Sequence, residues 1–206
     1  MHSTEELKKL YIASKTEISA RLNEFKKLRG ASDEKIFYEL CYCVLTAHGS
    51  ARAGRGAQAR LEKNGFWHVG DIGDCLDGVR YRNNKKLFLL NNRANIISDS
   101  LNLREFLEGD GFLVRNKVAN DSMYFKGLGM KAASQFLRNV GVSDLAILDR
   151  HILKSLKDYG VIKEIPSSIT KNVYIEIEGK MQGFSKGIDV PMDALDILFW
   201  TGMSGE

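Results

Sequence analysis

Apolar residues return every three or four positions along nearly the whole chain, and this periodicity leaves room for little but helices. Over residues 4–28, Leu7, Leu10, Tyr11, Ile18, Leu22 and Phe25 share one broad stripe. Gly30 ends that helix, and Ser32 is placed to cap the next, the strongly apolar stretch DEKIFYELCYCVLTA over 33–47. HGSARAGRGAQARLEKNG reads as a glycine-broken turn and a polar helix that stops at Gly65. A short helix among loops fits 66–80. A longer one with a basic leading end fits VRYRNNKKLFLLNNRANIISDSL. Gly109, Gly111 and Asn120 interrupt 103–125, which reads as irregular. Beyond Pro166 there is room for one or two helices, the last over 191–200 and ending in Trp200. Strand-like alternation is scarce, so the expected fold class is all-α.

A length of 206 residues fits one large domain or two small lobes around real cores. The net charge of +4 permits nucleic-acid binding without demanding it. No stretch approaches the roughly 20 apolar residues of a membrane helix. The leading MHSTEELKKLYIASK lacks an apolar signal core. The expectation is therefore an intracellular, cytoplasmic protein with no membrane partner. Cys41, Cys43 and Cys75 are odd in number and without CxxC spacing, which argues against a disulfide framework or a zinc site. Cys41 and Cys43 sit in an apolar stretch and read as small core residues.

The chemistry concentrates in FKGLGMKAASQFLRNVG, residues 125–141. Lys126-Gly127-Leu128-Gly129 is a tight turn with a helix directly after it. Its glycines free the backbone for unusual angles and close approach. The turn thus offers amide N–H groups at a helix N-terminus, a good seat for a phosphate. A hairpin of this kind grips the DNA backbone without reading bases, although a plain connection between two helices would use the same residues. In the helix, Ala133, Phe136, Leu137 and Val140 form the apolar face. At about 100° per residue Lys131 points the other way, with Ser134, Gln135 and Arg138 near it. A solvated surface lysine is the alternative. In LAILDRHILKSLKDYG, residues 145–160, a short buried segment leads to Asp149 at the head of an amphipathic helix. Asp149 is well placed as an N-cap, and capping alone would justify an aspartate there.

A GxGxK hairpin and helix, followed 18 residues after the lysine by aspartate in a Leu-Asp-Arg-His context, resembles the helix-hairpin-helix DNA glycosylase superfamily. The fuller string GLGMKAASQFLRNVGVSDLAILDRHIL is most similar to the second, mainly archaeal family of 8-oxoguanine DNA glycosylase/AP lyases. ELCYCVLTA with Gly54 and Gln58, VRYRNNKKLFLL and LDILFW extend the likeness over most of the chain. The resemblance implies a two-lobed fold with the active-site cleft between the lobes. The lobes would cover 30–118 and, for the hairpin and catalytic region, 119–160, with 1–29 and 161–206 packing back on both.

It also implies roles. Lys131 would be the nucleophile and Asp149 its partner, acting on a nucleotide flipped out of duplex DNA that contains a damaged base. The lysine argues for combined glycosylase and lyase chemistry, since a monofunctional relative would use the aspartate to activate water. Attack needs a neutral amine, which partial burial near other cations favours. Gly127, Gly129 and Lys126, with Arg80, Arg82 and Lys85, would hold the backbone; a solvated basic helix start is the alternative for the last three. Trp200 would stack on the flipped base, with Ser134 and the chain end at Glu206 completing the pocket, although a core tryptophan fits the pattern as well. The chain stops a few residues short of the family's usual tail and lacks its terminal lysine. His48 stands where the family has asparagine after Thr-Ala, in the turn that fills the gap left by the flipped base. No cysteine cluster follows the catalytic helix, so no iron–sulfur cluster, other cofactor or metal is expected, and the expected unit is a monomer. A glycosylase for another oxidised base and a non-catalytic DNA-binding module are the competing readings.

Overall fold

The computed structural model describes residues 3–120 and 123–204. Among them every regular element is a helix: α1 Thr4–Arg29, α2 Asp33–Thr46, α3 Ala51–Lys63, α4 Phe66–Val69, α5 Arg82–Ser98, α6 Leu103–Phe106, α7 Gly111–Asn120, α8 Met130–Asn139, α9 Arg150–Asp158, α10 Lys171–Ile188 and α11 Met192–Ser204. The all-α expectation holds. Side-chain caps fix many of the starts. Ser3, Ser32, Ser50, Asn102 and Thr170 each accept an N–H from the first turn they precede.

The stretch 103–125 is more regular than its glycines suggest. Asp110 Oδ1 accepts the Leu113 N–H at 3.0 Å and starts α7. Asp-Gly here is a cap followed by a first helical residue, where glycine costs little, rather than a turn.

α2 is buried all round, from Ile36 to Leu45, as a helix that is apolar on every face must be. It packs against α3, α5, α6 and α8. Two separate apolar cores result. The first joins α2 to α8 through Phe37, Leu61, Leu89, Val114, Phe136 and Leu137. The second is built on α1, α9, α10 and α11, through residues such as Ile18, Leu156, Tyr174, Met181 and Leu195. Leu145 belongs to the first core and Ala146 to the second. The chain therefore passes between cores along the non-helical segment that leads to Asp149. The apolar face of α8 joins the first core.

A polar chain ties the two halves. Arg55 of α3 donates to Glu39 of α2 at 2.7 and 3.0 Å, and Asn139 of α8 donates to the same carboxylate at 2.6 Å. Arg138 donates to Asn139 at 2.9 Å and to Asp196 of α11 at 2.8 Å. Glu39 and Asn139 are buried, and their bonds to charged groups answer the cost of that burial.

Candidate active site

The hairpin before α8 is held from outside. Asn92, fully buried on α5, receives the Lys126 N–H at 2.7 Å and donates to the Lys126 carbonyl at 3.0 Å. Leu128 is buried and anchors the turn. The two flanking glycines differ. Gly127 has φ +88°, and a Cβ there would lie 2.6 Å from the Phe88 ring. Gly129 has φ −83° and ψ −179°, open to any residue, and a Cβ there would meet nothing within 4 Å. Gly129 caps α8 without a side-chain bond, so the first-turn amides, which have no partner within the helix, face an open surface.

Lys131 is the second residue of α8 and is half-buried. Its Nζ donates to Gln135 Oε1, one turn on, at 2.8 Å. Among the described residues no ion pair joins it to Asp149. Asp149 caps α9, and Oδ1 accepts both cap bonds, from the N–H of His151 at 2.8 Å and of Ile152 at 3.0 Å. Both cap bonds go to one oxygen. Asp196 links the pair: burial pushes its carboxyl up and the Asp149 charge adds to that, while Arg138 and Lys131 pull it down. Lys131 and Asp149 thus both act on the Asp196 carboxyl, with opposite sign. Asp196 and Trp200 lie one turn apart on α11, and Trp200 is 49% exposed.

A second polar corner faces away from the cores. His48 and Tyr81 both have left-handed backbone, φ +53° and +56°, an uncommon state for side chains of this kind. Both are exposed, and their rings meet edge to face with centroids 6.3 Å apart. Arg80 and Arg82 are exposed beside them, Arg82 at 3.3 Å from Asp77. Lys85 is not part of this surface. It is 4% exposed and donates to the Leu45 carbonyl at the end of α2 at 2.6 Å, and burial, then Arg80, pulls its ammonium down from the usual lysine range. Lys85 and Asn92 both lie on the α5 stripe that carries Leu89 and Ile96; polar residues on that stripe were the legible signal that they serve the interior.

Ser134 is fully buried, so it does not line an open base pocket; its hydroxyl sits within hydrogen-bond distance of Arg115 and Tyr174. Glu206 lies outside the described residues.

The family model described as 8-oxoguanine DNA glycosylase matches residues 18–190. The chain belongs to the 8-oxoguanine DNA glycosylase family. A relative named 8-oxoguanine DNA glycosylase/AP lyase, from Fusobacterium nucleatum, is 34% identical over 97% of this chain and 94% of its own. The crystal structure of the 8-oxoguanine DNA glycosylase of Thermotoga maritima superposes with a TM-score of 0.84 at 34% identity, covering 99% of each chain. The Methanocaldococcus jannaschii 8-oxoguanine glycosylase/lyase, solved with a 15mer DNA containing 8-oxoguanine, superposes with a TM-score of 0.81 at 29% identity over 98% of each chain. No helix among the described residues is long and apolar enough to cross a membrane.

Proposed function

We propose that this protein excises 8-oxoguanine from duplex DNA and then nicks the strand, with Lys131 as nucleophile and Asp149 as its partner. The observation that carries the assignment is the placement of Lys131. It is a half-buried lysine, second in a helix whose N-terminus has no side-chain cap and suits a phosphate, and it acts with Asp149 on one carboxylate.

In this reading the α8 amides, Lys126, Arg80 and Arg82 hold the bent backbone, His48 enters the duplex beside Tyr81, and Trp200 stacks on the flipped base. The neutral Lys131 amine attacks C1′, the C1′–N9 bond breaks, and the base leaves with the electron pair and takes up a proton. Asp149 accepts the proton that the amine sheds and stabilises positive charge on the sugar. Ring opening gives a Schiff base to Lys131. Loss of a C2′ proton then expels the 3′ phosphate, and water releases the lysine. Gln135, a neutral acceptor, keeps the resting amine in place without the fixed charge of an ion pair. One chain forms the working unit, so the enzyme acts as a monomer.

The test is borohydride trapping and strand nicking on duplexes carrying 8-oxoguanine or an oxidised pyrimidine. A trapped adduct and a nick at 8-oxoguanine are expected. Adducts only at the pyrimidine lesion would move the substrate elsewhere in the superfamily, and binding without any adduct would reduce the protein to a DNA-binding module.

A further inference from the structure

Residues 145–148 are buried and lie outside any helix, and among the described residues no strand is there to take their backbone groups. Such groups must find partners in side chains. They find them on α10. The Ala146 N–H donates to Glu178 Oε1 at 2.8 Å, and the Leu148 N–H donates to the Tyr174 hydroxyl at 3.2 Å. Tyr174 donates to the Ala146 carbonyl at 2.6 Å. Its single proton goes to this shortest contact, so the hydroxyl receives the bond that joins it to Ser134 Oγ, 3.2 Å away. Ser134 stands three residues beyond Lys131 on α8. It also accepts from Arg115 at 3.3 Å, and Arg115 donates to both oxygens of Glu178, which closes the ring of contacts. Tyr174, Ser134, Arg115 and Glu178 are all at most 2% exposed.

The Tyr174 oxygen therefore touches both halves of the catalytic pair's framework: the segment that leads into Asp149 and the helix that carries Lys131. We infer that Tyr174 is a positioning residue for the glycosylase reaction, one that fixes Asp149 relative to Lys131 through this shared oxygen; the inference rests on the catalytic assignment of those two residues. Burial pushes the Tyr174 phenol up to about 12, so it stays protonated and keeps this pattern at any working pH. The cap bonds fix the Asp149 side chain against α9, and its backbone is fixed from the other side. Its N–H turns back to the Ile147 carbonyl at 2.8 Å, inside the segment that Tyr174 and Glu178 fasten.

Tyr174→Phe removes the oxygen and keeps the packed ring. Single-turnover excision should fall about tenfold to a hundredfold, the loss expected of a misplaced catalytic group, with duplex Kd unchanged. In an Asp149→Asn background the same substitution should cost nothing further, because both changes act through one carboxylate. Ser134→Ala, which removes the other end of the clasp, should give a smaller loss in the same direction. A tyrosine that only stabilises the fold would lower Tm and leave excision below Tm unchanged. A wild-type excision rate in Tyr174→Phe, or full additivity, overturns the inference while Asp149 keeps its role. Full activity in Asp149→Asn overturns the assignment of Asp149, and the inference with it.

Discussion

Asp149 has two duties on one side chain, and they can be separated. As a cap it needs one acceptor oxygen, and asparagine supplies that as well as aspartate does. As Lys131's partner it needs charge. Asp149→Asn should therefore lower single-turnover excision by about 10²–10⁴-fold while Tm barely moves; the rate and a melting curve on the same sample check this. The two hairpin glycines separate in the same way. Gly127→Ala meets both a left-handed backbone and the Phe88 ring, and should destabilise by about 1–3 kcal/mol, a Tm drop of several degrees. Gly129→Ala meets neither, and should change stability by no more than about 1 kcal/mol. If a phosphate occupies the space where that methyl would go, duplex Kd rises instead. Thermal melting and a binding titration on each variant decide between these outcomes.

Among the helices, α8 and α9 were legible from sequence. A glycine turn, an apolar face with 3-1-3 spacing and a capping aspartate are all local signals. α7 was harder, because Gly109 and Gly111 read as breaks until the Asp110 cap bond to Leu113 is seen. The fastening of residues 145–148 was not legible at all. Its partners on α10 lie 26 to 32 residues along the chain, and nothing local to α10 announces that Tyr174 and Glu178 face another segment's backbone. Ser134 shows the same limit: helical spacing placed it beside Lys131, while only packing showed that it points into the interior. The buried Arg115–Glu178 pair has a direct consequence for stability. Glu178→Ala leaves a guanidinium buried without its carboxylate and orphans the Ala146 N–H. It should cost about 3–5 kcal/mol in denaturant melts.

At the scale of the whole molecule, the chain changes cores between Leu145 and Ala146, and the Glu39–Asn139–Arg138–Asp196 chain holds the halves in register. Sequence resemblance gave the two-lobed plan, because its motifs are spread along most of the chain. It did not reveal that α8 is packed into the first core, since an amphipathic helix does not say which core takes its face. The net charge is only +4, so a grip on DNA depends on where basic residues such as the exposed Arg80 are placed. Arg80→Ala should weaken binding to all duplexes alike and lower the slope of log Kd against log salt by about 1. The central claim is that Lys131 forms the covalent bond to the sugar. Borohydride-trapped complex made on an 8-oxoguanine duplex, digested and mapped by mass spectrometry, tests it most directly. The account predicts the reduced sugar adduct on Lys131 and no adduct from Lys131→Gln, which still binds the duplex. An adduct on another residue, or trapping that persists in Lys131→Gln, would contradict it.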